Sequence, residues 1–290
     1  MLVRMRVLLA GCICVIMFAS SCSRGPQEQP KLARAAEAPK HSQATLVLEN
    51  SSLPPGAQTN LGIQFETEKG WHIYWENPGD SGEPPRIHWQ LPPGLTAGDF
   101  AWPAPTRLTT TAGTDYGYEG TVVLLATLQV SPSVQPGSTM EVAGNLRWLV
   151  CHDICVPQRT ELRAPLYIAS ATVLDHDAYE LLHAAAERIP KPLPAAFHAR
   201  VTSSGDSLQL ALAPREPVGR AEFFPSEAEQ INDSAPQEMV KRAGIIRLTI
   251  RKSGDRQRDP ARLRGVLLLN GRESYQIDVP IRTSSLRERR

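Results

Sequence analysis

Cys151 and Cys155 restrict the possible folds of this chain more than any other pair of residues. They lie four positions apart, and in an extended strand their Cα atoms would be about 13 Å apart. A disulfide requires a Cα separation of roughly 4.4–6.8 Å. The runs on either side, 140–150 and 160–168, are predicted strands. A bridge between the two cysteines therefore requires a tight turn between two strands, with both thiols on the connecting loop.

Composition and periodicity favour an all-β fold. The chain contains 25 prolines and 20 glycines, and turn-forming residues recur at intervals of roughly 8–15 residues, which is typical of a β-sandwich. Short runs with alternating or continuous apolar residues lie between these turns, at 45–49, 61–66, 71–75, 87–89, 122–130, 208–212, 246–250, 266–269 and 275–279. Asn270-Gly271 separates the last two runs and predicts a hairpin with a type I′ turn.

The sequence predicts two β-domains joined by one helix. A helix is predicted over 175–188, where apolar residues fall on one face and three prolines follow. We expect a first β-sandwich over 44–170, a helical connector over 171–194, a second, smaller β-sandwich over 195–283 and a basic tail over 284–290. The second β-domain has no cysteine and one histidine, His198, so we expect the chemistry to lie in the first.

The first 22 residues have the pattern of a bacterial lipoprotein signal peptide. Arg4 and Arg6 precede an apolar run, 7–19, that is shorter than the roughly 20 residues needed to cross a bilayer. The run ends in Ala19-Ser20-Ser21-Cys22, which is typical of a lipobox with Cys22 as the lipidated residue. Residues 23–43 are predicted to form a flexible tether. We expect a periplasmic protein anchored to the membrane at Cys22; ordinary signal cleavage would instead release a soluble form.

Charge and motifs exclude several classes of function. The net charge is +1, whereas a nucleic-acid-binding protein needs a concentrated basic surface, so we expect no nucleic acid partner. The sequence contains no P-loop, no GxSxG motif and no HExxH motif.

Three interpretations of the cysteine pair remain open from spacing and compartment alone. The first is a structural disulfide, although closing so short a ring stabilises the fold by only about 2 kcal/mol. The second is an exchanging pair, in which the neighbouring His152 would favour the thiolate and Asp153 would oppose it. The third is a metal site formed by Cys151, His152, Asp153 and Cys155, although zinc sites more often combine C-x2-C with a second ligand pair.

Four motifs together resemble one protein family. They are GWHIYWENPGDSGEPP at 70–85, WPAPTR at 102–107, YGYE at 116–119 and WLVCHDICVP at 148–157. In this order they resemble the N-terminal periplasmic domain of the DsbD/ScsB group of thiol:disulfide interchange proteins. Phe223-Phe224-Pro225 and the closing hairpin resemble the second β-domain of the longer members.

The resemblance implies an immunoglobulin-like fold with Cys151 and Cys155 as a redox-active, catalytic pair and no organic cofactor. The family tends to use the second cysteine in the mixed disulfide, which would make Cys155 the attacking thiol and Cys151 the resolving one. The family also shields its pair with an aromatic cap loop. The matching stretch here is 99–107, with Phe100 and Trp102 as candidate shields; packing of these rings in the core is the alternative.

The resemblance also implies partners. They would be thioredoxin-like or DsbD/CcdA-type redox proteins and oxidised extracytoplasmic substrates, with a relation to cytochrome c biogenesis. The multi-helix membrane domain and the thioredoxin-like domain of the longer members have no counterpart in this sequence. Either separate proteins supply the electrons or the fold serves another purpose, so the direction of electron flow stays open. A non-enzymatic binding or scaffold lipoprotein with a structural disulfide is the alternative function.

Overall fold

The computed structural model describes residues 40–111, 113–256 and 260–283, which belong to one compact unit. The predicted signal peptide, Cys22, the tether up to residue 39 and the basic tail lie outside these ranges. Within them, no helix combines the length and the apolar character needed to cross a bilayer.

Strands dominate the described residues. They are β1 (Ser42–Leu48), β2 (Asn50–Leu53), β3 (Gln58–Thr67), β4 (His72–Gly79), β5 (Arg86–Trp89), β6 (Leu95–Ala97), β7 (Thr106–Thr110), β8 (Gly113–Glu119), β9 (Thr121–Val130), β10 (Thr139–Cys151), β11 (Cys155–Ile168), β12 (Val173–Leu174), β13 (Lys191–Pro192), β14 (Arg200–Ser204), β15 (Ser207–Leu212), β16 (Ala221–Pro225), β17 (Glu238–Arg242), β18 (Ile245–Arg251), β19 (Arg262–Leu269) and β20 (Glu273–Thr283). Helix α1 (His176–Ala186) follows β12, and a 3-10 turn (Ala195–Phe197) follows β13.

The first module is a β-sandwich, as predicted. Its smaller sheet has the order β1-β3-β9-β6, and its larger sheet has the order β12-β2-β11-β10-β4-β8-β7, with β5 also paired to β10. Side chains that alternate inward from both sheets form one core, among them Ile63, Phe65, Leu124, Trp75 and Val150. Strand β1 begins inside the predicted tether, because Ser42 already pairs with Thr67 of β3.

Helix α1 packs on the first module. The Asp175 carboxylate caps it by accepting a hydrogen bond from the Ala178 N–H (3.1 Å). Leu182 of the helix lies against Val123 on the outer face of the smaller sheet. A Cβ at Gly62 would lie 2.5 Å from the Leu182 side chain, so this glycine allows the close approach. The helix predicted as a connector is therefore also a packed layer of the first module.

The second module is a smaller β-sandwich with its own core. Its strands follow the order β16-β19-β20-β14-β15-β18-β17. Strand β20 pairs with β19 through residues 273–280 and with β14 through residues 281–283, so the sheet folds over itself around Phe223, Leu248 and Leu267. The predicted type I′ turn is confirmed: Asn270 and Gly271 both have positive φ, and the Arg272 N–H donates to the Leu269 carbonyl (3.1 Å).

The two modules share a buried interface. Phe224 of β16 belongs to the core of the first module, where its ring packs edge-on against Trp75 and Tyr116. Polar contacts surround it: the Asn77 amide donates to the Pro225 carbonyl (2.8 Å), and the Tyr116 hydroxyl donates to Asp233 Oδ1 (2.9 Å). The sequence did not predict this interface, because its contacts join residues more than 100 positions apart.

Asp233 makes this interface sensitive to pH. Burial raises the pKa of the Asp233 carboxyl from 3.8 to about 6. The negative charge of Asp80 adds to the rise, whereas the Tyr116 hydroxyl and the Arg107 guanidinium oppose it. Because the pKa of Asp233 is higher in the folded state than in the unfolded state, the unfolded state loses this proton at lower pH. Ionisation of Asp233 therefore lowers the free energy of unfolding. The loss grows from about pH 4 to about pH 6 and is complete above that range.

We expect Asp233→Asn to stabilise the protein at pH 7.5 by about 1–3 kcal/mol, because it removes the charge and keeps a hydrogen-bond acceptor for Tyr116. At pH 4 the variant and the parent should have nearly the same free energy of unfolding. Urea denaturation at both pH values measures this difference. Asn at the exposed Asp206 is the control, and an equal gain at both pH values would show that the Asp233 charge is not the cause.

Candidate redox site

The cysteines occupy facing ends of a β-hairpin. Cys151 ends β10 and Cys155 begins β11, and the two are direct cross-strand partners joined by a disulfide with a Cα separation of 4.2 Å. The predicted loop is shorter than expected, because pairing continues to both cysteines and only His152, Asp153 and Ile154 connect them.

The two sulfurs have different surroundings. Cys151 is 1% exposed, whereas Cys155 is an exposed residue. The next residue towards the hairpin tip, Ile154, is 66% exposed and apolar. An attacking thiolate from another molecule therefore reaches Cys155 first, beside an apolar contact surface, while Cys151 lies behind it.

Two side chains of β4 adjoin the disulfide. His72 is the cross-strand partner of Cys151 on the side opposite Cys155, and the Tyr74 hydroxyl lies 3.6 Å from Cys155 Sγ. The rings of His72 and Tyr74 meet edge to face with centroids 5.1 Å apart. Burial raises the pKa of the Tyr74 hydroxyl. Tyr74 therefore keeps its proton and can donate a hydrogen bond to sulfur at neutral pH.

A loop after β4 covers Tyr74. Gly82 has φ +81°, and a Cβ at this position would lie 2.1 Å from the Tyr74 ring, so only a glycine lets the loop lie on the ring. The loop is held by Asp115, which accepts hydrogen bonds from the Ser81 N–H (3.1 Å) and the Ser81 hydroxyl (2.8 Å). Asp115 Oδ2 also lies 3.7 Å from His72 Nε2. His72, Tyr74 and Asp115 thus form a buried polar cluster beside the disulfide, and the loop lies over it.

His152 and Asp153 lie at the exposed tip of the hairpin. His152 Nδ1 is 3.0 Å from Asp153 Oδ2, so the two predicted modulators contact each other. The His152 ring lies 5.9 Å from the ring of Trp71, which in turn stacks on His41 (3.7 Å). The described residues contain no group of three or more His, Cys, Asp or Glu side chains arranged to hold a metal ion.

Phe100 and Trp102 lie in a different environment. Their rings meet edge to face at 6.0 Å, and both pack against the core of the first module. They line a groove that also contains Trp75 of the first module, Pro190 of the connector and Ile277 of the second module. Among the described residues, the sequence prediction missed Tyr74, whose hydroxyl lies 3.6 Å from Cys155 Sγ. The signal was present: in the run 71–75, Ile73 and Trp75 face the core, which places His72 and Tyr74 together on the other face.

Comparisons with known proteins agree with this geometry. Residues 42–166 match the family model described as thiol:disulfide interchange protein DsbD, N-terminal. The N-terminal periplasmic domain of ScsB from Proteus mirabilis has the same fold, with a TM-score of 0.64, 15% identity, and coverage of 84% of this chain and 94% of that chain.

A FixG-related protein from Vibrio parahaemolyticus is a more distant match, with a TM-score of 0.21 and 4% identity over 46% of this chain and 100% of that chain. No curated protein matches the chain. Because the ScsB domain matches 84% of this chain, its fold extends over both modules. Residues 42–166, which carry the disulfide, therefore belong to the family of DsbD N-terminal domains.

Proposed function

We propose that this protein is a periplasmic thiol–disulfide exchange module in which Cys151 and Cys155 cycle between disulfide and dithiol. One observation carries the proposal: the bond joins an exposed Cys155 to a buried Cys151. A structural bond gains nothing from such exposure, whereas an exchanging bond requires one accessible sulfur. The match of residues 42–166 to the DsbD N-terminal family supports the activity, and the similarity to the periplasmic domain of ScsB supports the compartment.

The proposed exchange has two halves. A thiolate of the electron donor attacks Cys155 Sγ, the bond between Cys155 and Cys151 breaks, and its electron pair leaves on Cys151 Sγ. A second donor thiol then attacks the mixed disulfide at the donor's own sulfur and releases Cys155. The donor dithiol becomes a disulfide, and the pair gains two electrons and two protons. In the second half, Cys155 attacks an oxidised substrate and Cys151 resolves the mixed disulfide. Donors of thioredoxin-like or DsbD/CcdA type fit this cycle, with oxidised extracytoplasmic proteins as substrates.

Reduction by a thioredoxin-like protein tests the proposal. The oxidised protein is mixed with reduced thioredoxin as a model donor, and free thiols are counted by mass spectrometry after rapid alkylation. We expect complete reduction within minutes. The Cys151→Ser, Cys155→Ser double variant corrects for background. If the native disulfide stays oxidised for hours while the unfolded chain is reduced, the bond is structural and the proposal is wrong.

Tyr74 has a defined part in this cycle. Its hydroxyl is placed to donate a hydrogen bond to the Cys155 thiolate that forms on reduction, and hydrogen bonding to the charged form lowers a pKa. We expect Tyr74→Phe to raise the pKa of the Cys155 thiol by about one unit. The pH dependence of iodoacetamide alkylation in the reduced protein measures this value. Tyr167→Phe, on the same hairpin at an exposed position, is the control, and an unchanged pKa in Tyr74→Phe would contradict this role.

A further inference from the structure

Three arginines form a row across the sheet that carries the disulfide. Arg147 of β10 is the direct cross-strand partner of Arg159 on β11 and of Arg86 on β5. Side chains directly opposite each other in an antiparallel sheet point to the same face, with Cβ atoms about 4.5–5.5 Å apart. The row therefore places three exposed guanidinium groups side by side.

This arrangement is unfavourable for the isolated protein. Like charges directly opposite in a sheet destabilise the pairing, and within the described residues none of the three arginines forms an ion pair. Arg163 on the same hairpin is different, because it contacts both Glu141 and Glu161. The sheet thus neutralises one arginine and leaves three adjacent ones available for an anion.

The row shares a face with the disulfide. Residues two apart on a strand face the same side, so Cys151, Leu149 and Arg147 follow each other on β10, as Cys155, Pro157 and Arg159 do on β11. Arg147 and Arg159 lie about 13 Å along the strands from the cysteines, with the apolar pair Leu149 and Pro157 between them. All three arginines, Leu149 and Pro157 line one groove of about 470 Å³. One carboxylate, that of the exposed Glu83, also lines this groove but forms no ion pair with the three arginines, so positive charge predominates there.

We propose that this arginine row binds an acidic segment of the redox partner, close in sequence to the partner's reactive cysteine, and so aligns that cysteine with Cys155. The inference rests on the proposed function and names the chemistry of its partner. Charge complementarity carries it: the groove holds three guanidinium groups against one carboxylate, Glu83, and its arginines lie about 13 Å along the strands from the cysteines. Such a groove favours carboxylates at a fixed distance from a thiol. The short row in a groove suits a peptide segment better than an extended membrane surface.

Two synthetic peptides test the proposal with the full chain. Each has a cysteine followed by two glycines and then four glutamates in one peptide or four glutamines in the other. The measured quantity is the rate constant for mixed disulfide formation with the oxidised protein. Carboxylates also alter the reactivity of the peptide thiol, so the rate with the acidic peptide is first divided by the rate with the neutral one. The decisive quantity is the quotient of this ratio in the parent and the same ratio in the triple variant Arg86→Gln, Arg147→Gln, Arg159→Gln. Arg163→Gln is the control, and dithiothreitol is the uncharged reductant.

We expect this quotient to be about ten at low ionic strength and to approach one in high salt, with unchanged rates towards dithiothreitol. A quotient near one at low salt would overturn the docking proposal while exchange itself persists. Binding to anionic phosphatidylglycerol vesicles that the triple variant loses, together with a quotient near one, would assign the row to a membrane and also overturn the proposal. Failure of every peptide and of dithiothreitol to react would instead contradict the proposed function.

Discussion

With Cys151 replaced by serine, Cys155 is expected to form mixed disulfides at least about 100 times faster than Cys151 does in the Cys155→Ser protein. Cys151 is 1% exposed, so its thiol reacts only after local opening of the hairpin. An opening free energy of about 3 kcal/mol corresponds to this factor. Reaction of each variant with glutathione disulfide at pH 8, followed by mass spectrometry, measures the two rates.

The same two variants in concentrated guanidinium chloride provide the control. Both thiols should then react at similar rates, because the difference arises from folded structure. Equal rates in the native proteins would contradict the asymmetry on which the order of attack depends, and a faster Cys151 would reverse it.

Phe224→Ala is expected to reduce the free energy of unfolding by about 3–5 kcal/mol, the usual cost of removing a buried phenylalanine ring. Phe224 is 1% exposed and belongs to the second module by sequence, yet its ring fills the core of the first. All five tryptophans lie between residues 71 and 148, so tryptophan fluorescence in urea reports mainly on the first module, and Trp75 also senses the interface through Phe224. The variant should therefore lower the fluorescence midpoint directly.

Phe223→Ala is the matched control. Phe223 precedes Phe224 on β16, is equally buried and packs in the core of the second module. We expect its replacement to destabilise the second module, seen by circular dichroism, with a smaller effect on the tryptophan midpoint. Equal effects of the two variants on fluorescence would mean that the modules unfold as a single cooperative unit. No effect of Phe224→Ala would contradict the shared core.

Local patterns predicted the parts of the fold that depend on neighbouring residues. Alternation predicted the strands beside the cysteines, Asn270-Gly271 predicted its turn, and the apolar spacing predicted a helix that Asp175 caps. The tight turn between Cys151 and Cys155 followed from chain geometry. The structure also confirms the immunoglobulin-like sandwich that the four motifs implied through their resemblance to the DsbD/ScsB family.

These local patterns could not predict contacts between residues that are far apart in the sequence. Tyr74 contacts Cys155, which lies 81 positions away in the sequence. In the sequence the covering loop resembles an ordinary Gly- and Pro-rich turn, and only the structure shows that Gly82 lies on the Tyr74 ring. The arginine row is likewise hidden, because Arg86, Arg147 and Arg159 become neighbours only through the register of three strands. The roles of Phe100 and Trp102 as shields stay predictions.

The reduction potential of the Cys151–Cys155 pair tests the central claim most directly. The protein is equilibrated with defined ratios of reduced and oxidised glutathione and thioredoxin, and the fraction of disulfide is measured by alkylation and mass spectrometry. We predict a potential above about −250 mV, within the range of exchangeable disulfides. A value below about −300 mV would place the bond among structural disulfides, and the protein would then be a scaffold with the fold of this family and without its exchange chemistry.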